Sequence, residues 1–250
     1  MVTARIKFRA ALTLVLSATL SACATYPTEE DATNAEMSID QLKAVRGYWA
    51  YDGLVTSQGQ SLPIDGVFLF EGGVFLQQAV MGDPADSAAE AMAHAGPYTA
   101  TEKGVDLKAQ QTISISGSME RPLSFRANTD HQLTVTRSDD NLKLVFGSGT
   151  VQTFTRIASG PAEIYTFDNG RLAFIDNRFI LVLGDSTEAV SGYGTFTRSG
   201  DKLALNAERW ASATDTDADI AANKQIVAHF DGNTLTIAPN RSFRIIKDDR

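Results

Sequence analysis

The sequence contains a single cysteine, Cys23, and only three histidines. One cysteine cannot form a disulfide within the chain, and it cannot supply the cysteine sets of common zinc sites. No histidine has another histidine three or four residues away, so each is expected at the surface or at the end of a helix. We therefore expect neither a metal site nor a cofactor. The histidines are His94, His131 and His229.

Positive charge is also scarce, with 22 Lys and Arg against 30 Asp and Glu and a formal net charge of −8. The first 22 residues hold three cations and no acid, so their removal would lower the net charge from −8 to −11. An acidic body of this size argues against nucleic-acid binding and against electrostatic attachment to anionic lipid.

Apolar runs of membrane-spanning length are absent as well. The stretch from Ala10 to Leu20 has eleven residues and follows three cations, whereas a transmembrane helix needs roughly 20 residues. A short apolar segment after a basic start is typical of an export signal. It ends in Leu20-Ser21-Ala22-Cys23. This sequence resembles the lipobox of bacterial lipoproteins, in which the chain is cut just before the cysteine.

The lipobox resemblance implies that residues 1–22 are removed and that Cys23 carries acyl chains such as palmitate on its sulfur and new amino group. Two or three chains anchor firmly at roughly 0.8 kcal/mol per buried CH₂, whereas one chain is marginal. Ala24, rather than Asp, follows the cysteine, which in this family favours the periplasmic face of the outer membrane. The alternative is an ordinary secreted protein, cut nearby and left with a free thiol.

Residues 23–38 are polar and acidic and hold too little apolar surface to fold alone. We expect a flexible tether that reaches roughly 20 Å on average.

From Gly47 onward the sequence consists of short alternating segments broken by turn pairs. The segment from Val105 to Gln110 alternates strictly, which indicates a strand with one buried face. We predict an all-β chain of antiparallel barrels. Two short capping helices are also predicted, one from Asp83 up to Gly96 and one from Thr214 to Lys224, from their cap residues and acidic starts. The turn pairs include Asp52-Gly53, Gly72-Gly73, Lys103-Gly104 and Asp140-Asn141.

An internal repeat divides this body in two. Six short matches recur in the same order, about 90 to 100 residues apart. They predict two tandem β domains at 39–157 and 158–250, joined near Ser159-Gly160-Pro161; the alternative is that β proteins merely share turn residues. The matches pair Phe68–Gly73 with Tyr165–Gly170, Gly82-Asp83 with Gly184-Asp185, Gly96–Thr101 with Gly194–Arg198, Leu107 with Leu203, Asp140–Leu144 with Gly232–Ile237, and Thr153–Ile157 with Ser242–Ile245.

The opening of the first copy, Gly47-Tyr48-Trp49, resembles the Gly-x-Trp strand of lipocalins and bacterial lipocalin-like domains. The resemblance covers about half of the chain. It implies that Trp49 sits at the closed end of a barrel with Arg156 across its face, a structural contact of about 0.5–2 kcal/mol. The second copy lacks a Gly-x-Trp strand, so it is either incomplete or completed by a strand from the first. The resemblance rests on Gly47, Trp49, Phe70, Tyr98, Phe154 and Arg156.

These features favour a tethered periplasmic module that binds a small apolar or amphipathic ligand inside a barrel. The alternative is a structural or assembly module of the cell envelope that binds a protein or glycan through its surface, including by strand addition. Strand alternation gives candidate pocket residues, for which core packing is an equally good explanation. These candidates are Phe75, Leu107, Phe125, Val135 and Leu144.

Sequence signals for catalysis are weak. Gly184-Asp185-Ser186 resembles the start of an esterase block, but no Asp-x-x-His follows near the C-terminus and a β-turn explains it. Asp215, Asp217 and Asp219 have calcium-loop spacing without the required glycine and glutamate. A hydrolase is thus the least favoured function, which clustering of His131, His229 and a carboxylate would revive.

Overall fold

A computed structural model describes residues 38–86, 88–238 and 241–246. Within these ranges one helix, α1, covers residues 38–45, and nearly all other regular structure is β. No helix described is long and apolar enough to cross a lipid bilayer. The predicted signal peptide, Cys23 and nearly all of the tether lie outside the described residues.

The first eleven strands form a closed antiparallel barrel. Eight strand positions complete the ring in the order β1, β3, β4, β5, β6, β9, β10 and β11, and β11 pairs back with β1. The strands are β1 (Gly47–Val55), β2 (Ser61–Leu62), β3 (Ile64–Glu71), β4 (Val74–Met81), β5 (Glu90–Thr101), β6 (Gly104–Ala109), β7 (Gln111–Ser116), β8 (Leu123–Arg126), β9 (Thr129–Ser138), β10 (Asn141–Phe146) and β11 (Val151–Ala158).

Strands β7 and β8 lengthen the wall on one side of this barrel. Strand β5 pairs with β6 through its second half and with β7 through its first half, while β7 pairs with β8. The change of partner lies at a bulge opposite Gly96, where a Cβ would lie 2.0 Å from the Lys108 carbonyl oxygen. Only glycine fits this close approach of two backbones.

The second barrel is an eight-stranded antiparallel meander. Its first and last strands meet at one bridge, Phe167 to Ile245, and at a hydrogen bond from the Ile246 amide to the Thr166 carbonyl. The barrel is therefore nearly closed. Its strands are β12 (Ala162–Phe167), β13 (Gly170–Ile175), β14 (Arg178–Gly184), β15 (Glu188–Ser199), β16 (Lys202–Thr214), β17 (Ala218–Phe230), β18 (Thr234–Ala238) and β19 (Arg241–Arg244).

Three apolar layers hold the molecule together. Two lie inside the barrels, around Trp49 and Phe154 in the first and around Phe179 and Phe230 in the second. The third lies between the barrels and combines outward-facing residues of β3, β4, β5 and β7 with those of β13 to β16. Two cross-barrel hydrogen bonds reinforce it, from the Tyr48 hydroxyl to the Phe179 carbonyl and from the Tyr193 hydroxyl to Asp65.

The shared layer explains the continuous apolar runs in the middle of the chain. Strands β4, β13 and β14 are buried on both faces, one toward a barrel interior and one toward the other barrel. A strand covered on both sides reads as an apolar run, whereas a half-exposed strand alternates. The two barrels are thus packed side by side on one continuous core.

Helix α1 covers the closed end of the first barrel. Val45 is buried in the barrel interior, and its carbonyl accepts a hydrogen bond of 2.7 Å from the Trp49 indole. Arg156 lies over the Trp49 ring at 4.6 Å from its centroid, and Arg137 lies at 5.8 Å while donating to the Lys43 carbonyl. Gly47, with φ of 140°, begins the strand against Arg156.

The two predicted capping helices are wrong. Residues 90–95 belong to β5, and residues 214–224 form the end of β16, a turn and the start of β17. The small side chains of Ala91, Ala93 and Ala95 alternate into the layer between the barrels, so strand pairing overrides their helical propensity.

The internal repeat is present as two barrels of the same topology. Five of the six matches join equivalent strands, whereas the first is one strand out of step. Phe68 lies on β3, but Tyr165 lies on β12, which takes the place of β1. The second copy therefore has eight strands of its own and takes none from the first.

Candidate ligand site at the mouth of the first barrel

A buried hydrogen-bond chain forms the floor of the open end of the first barrel. The Gln77 amide donates to the Tyr51 hydroxyl at 2.5 Å, and this hydroxyl donates to Gln152 Oε1 at 3.0 Å. Gln77 and Gln152 are 2% and 5% exposed. Burial raises the pKa of Tyr51, so its phenol stays neutral and remains a donor. The floor separates the apolar interior from the mouth above it.

Two histidines stand above this floor. His94 lies on β5 and His131 on β9, and their ring centroids are 5.6 Å apart with an interplanar angle of 29°. Burial, with a smaller contribution from His131, lowers the pKa of His94 to about 4. Burial also lowers the pKa of His131, and its buried Nε2 has no hydrogen-bond partner among the described residues. Both imidazoles are therefore neutral at pH 7, each offering one donor and one acceptor.

The histidines and the two glutamines line a cavity of about 450 Å³. Met92 and Phe146 add apolar wall, and Phe146 meets His131 edge to face at 5.8 Å between centroids. The remaining lining residues carry hydroxyl groups or, in Arg126, the one fixed positive charge: Thr112, Ser114, Ser124, Arg126, Thr129, Ser148 and Thr150.

The electrostatic character of this cavity follows from its lining. No carboxylate is present among the described residues that line it, and Arg126 is exposed at its rim. Neutral imidazoles, amides and hydroxyls can both donate and accept hydrogen bonds, while Met92 and Phe146 accommodate apolar groups. The site suits an amphipathic molecule that is neutral or negatively charged.

The lining of the mouth includes both serines and histidines. Ser114, Ser124 and Ser148 line it, yet in the described chain none of these hydroxyls is hydrogen-bonded to either histidine. Ser186, singled out by its sequence, lies in the turn before β15, where Asp185 accepts hydrogen bonds from Thr187 and Glu188. The β-turn interpretation describes this segment.

The predicted pocket residues fall in two places. Phe75, Leu107 and Leu144 are buried in the interior of the first barrel, with Val135 packed against them, and Leu107 also lines a smaller cavity of about 360 Å³ beside His131. Phe125 instead packs against the layer between the barrels. The closed half of the barrel is filled by its own side chains, and the open cavity lies nearer the mouth.

The surface placement of His94 and His131 is wrong, because both face into the mouth. His229 is exposed on β17 of the second barrel, so the cluster with His131 does not form. The pairing of His94 with His131 depends on β5 and β9 flanking β6 in the barrel wall, which no local spacing reveals. The sequence did contain one local signal. Ala91, Ala93 and Ala95 alternate with Met92 and His94, which is the pattern of a strand with the alanines on one face and His94 on the other.

The calcium-like spacing of Asp215, Asp217 and Asp219 falls at the hairpin between β16 and β17, where Lys224 contacts Asp219. Across the described ranges, no three or more His, Cys, Asp or Glu side chains gather in an arrangement able to hold a metal ion.

In comparisons with known proteins, the chain matches no family model, no curated protein and no solved structure.

Proposed function

We infer that this protein is a membrane-tethered lipoprotein whose first barrel binds a small amphipathic molecule at its mouth. The observation that carries this proposal is the cavity of about 450 Å³ above the Tyr51 floor, lined by two neutral histidines and by apolar side chains. Its volume falls within the range of small-molecule sites, roughly 300–1,000 Å³. The buried Nε2 of His131 has no hydrogen-bond partner among the described residues, and a buried polar atom is costly unless a ligand or water satisfies it.

The lining narrows the class of ligand. The polar end of the ligand would meet His94, Gln77 and Gln152 deep in the cavity, and the apolar part of the ligand would contact Met92 and Phe146. The exposed Arg126 favours a negative or neutral group at the rim over a cation. This differs from a purely apolar ligand buried in the barrel centre, where side chains fill the space.

The proposed setting comes from the N-terminus. Acylation of Cys23 would hold the barrels at the periplasmic face of the outer membrane, on a tether formed by residues 23–38. Metabolic labelling with radioactive palmitate tests this part alone. Label on the wild type but not on Cys23→Ser is expected, and an unlabelled wild type would contradict the anchor.

The ligand site is tested with 1-anilinonaphthalene-8-sulfonate, an amphipathic anion whose fluorescence rises in apolar sites. Binding to residues 38–250 is expected, with Kd on the order of 10 μM. Ser114→Trp fills the cavity and should abolish binding, whereas Thr136→Trp places the same ring on the exposed outer face of β9. Equal binding by the two variants would show that the probe sits elsewhere.

A further inference from the structure

At the seam of the second barrel, part of a strand edge has no pairing partner among the described residues. Across the seam, β12 is bonded to the described part of the chain only at its end, through the Phe167–Ile245 bridge and the Thr166 carbonyl. Backbone groups alternate in direction along a strand. Because Thr166 faces the seam, the amide and carbonyl of Ile164 and Ala162 face it too.

A cavity of about 910 Å³ lies along this edge, between the two barrels. One wall is β12, and the other belongs to the first barrel through Val74, Gln110 and Gln111. The cavity follows the edge of a strand, and its volume is large. Both features suit a short extended peptide better than a small ion.

Arg171 is the buried cation of this cavity. It is 7% exposed, donates from Nη2 to Gln110 Oε1 at 2.6 Å, and has no carboxylate within ion-pair distance in the described residues. Its Nε and the Oε1 of Gln111 are buried and have no hydrogen-bond partner there. Burial lowers the pKa of Arg171, which reflects the cost of holding an uncompensated charge in this position.

We propose that this seam binds an extended peptide segment of a partner protein, which adds a strand to the edge of β12 and places a carboxylate against Arg171. A peptide backbone alternates donors and acceptors, so it can satisfy both the Ile164 edge and Gln111 Oε1. A free phosphate or other small anion lacks the alternating backbone donors and acceptors that would pair along the Ile164 edge. Glu71 and Asp168 also line the cavity. Glu71 is already paired with Arg46 at 2.9 Å.

The test uses three fluorescein-labelled peptides of about seven residues, a length that matches the six-residue β12. The first is Thr-Val-Thr-Asp-Thr-Val-Thr; the second has Asn for Asp, and the third has Pro for the two Val. Fluorescence anisotropy with residues 38–250 should give Kd below about 1 mM for the first. The Asn peptide should bind about tenfold more weakly, and the Pro peptide should not bind.

Arg171→Met should remove the difference between the Asp and Asn peptides while the protein stays folded. The matched control is Arg209→Met, another arginine between the barrels, which contacts Asp65 and does not line the cavity. This control should keep the tenfold preference. Loss of the preference in both variants would overturn the assignment to Arg171.

Amide hydrogen exchange reports the strand itself, independently of any variant. Bound Asp peptide should slow exchange at Ile164, which faces the seam, and leave Tyr165, which faces β13, unchanged. Failure of the Asp peptide to bind, equal binding of the Pro peptide, or unchanged exchange at Ile164 would each overturn the proposal. The mouth of the first barrel is a separate site, so its probe binding is unaffected by either result.

Discussion

Protonation of His94 should destabilise the fold as the pH falls. The pKa of this histidine is lowered from its ordinary 6.5 to about 4 by burial above the polar floor. The folded state therefore resists a proton that the unfolded chain accepts below pH 6.5. Stability is fully present above that pH, declines through the window from 6.5 to 4, and is constant again below it.

The magnitude follows from the two pKa values of His94. A shift of this size corresponds to about 3 kcal/mol when the whole window is crossed, and to about 2 kcal/mol between pH 7 and pH 5. His131, whose pKa is also lowered by burial, adds in the same direction. Carboxylates with depressed pKa values, such as Asp185, lose their contribution only below about pH 4.

The assay is urea unfolding at pH 7 and pH 5 of the wild type, of His94→Gln and of the control His229→Gln. Glutamine cannot take up the proton, so His94→Gln should lose about 2 kcal/mol less than the wild type on acidification. His229→Gln removes an exposed histidine of the second barrel and leaves the mouth intact. An identical acid loss in His94→Gln and wild type would refute the reasoning, as would an NMR titration of His94 with a midpoint near 6.5.

Two further predictions concern packing. Arg156→Met removes the guanidinium that lies 4.6 Å from the Trp49 ring and should lower the free energy of unfolding by about 0.5–2 kcal/mol in urea; an unchanged value would mean that the contact adds nothing net. Gly96→Ala would place a Cβ 2.0 Å from the Lys108 carbonyl oxygen, which should cost on the order of 3 kcal/mol or more in thermal unfolding. The control Gly59→Ala meets no atom within 4 Å and has only its φ of 81° to accommodate, so a loss equal to that of Gly96→Ala would contradict the steric explanation.

The barrel class could be predicted because its signals are local. Turn pairs and alternating segments indicate strands one at a time, and a strand count with regular spacing is enough to predict antiparallel barrels. The order of the repeat matches also identified β10 as the equivalent of β18, and β11 as the equivalent of β19. The prediction of an all-β chain of antiparallel barrels was confirmed.

The mouth could not be predicted because it depends on long-range pairing. His94 and His131 are brought within 5.6 Å because β5 and β9 flank β6, and Tyr51 reaches Gln152 across the β1–β11 pair. The prediction of a helix before Gly96 was wrong for the same reason, because its alanines are small side chains that pack against the second barrel. A local propensity is a weak guide where both faces of a strand are covered.

Strand β7 shows how closely the two proposed sites are linked. Its alternation sends Thr112 and Ser114 to the mouth, and sends Ile113 to the layer between the barrels together with Gln111, which lines the seam cavity. Since the side-chain period of a strand is two, a shift of one residue would exchange these faces completely. The bulge opposite Gly96 sets this register, so one glycine fixes which residues meet a ligand, which meet the second barrel and which line the seam.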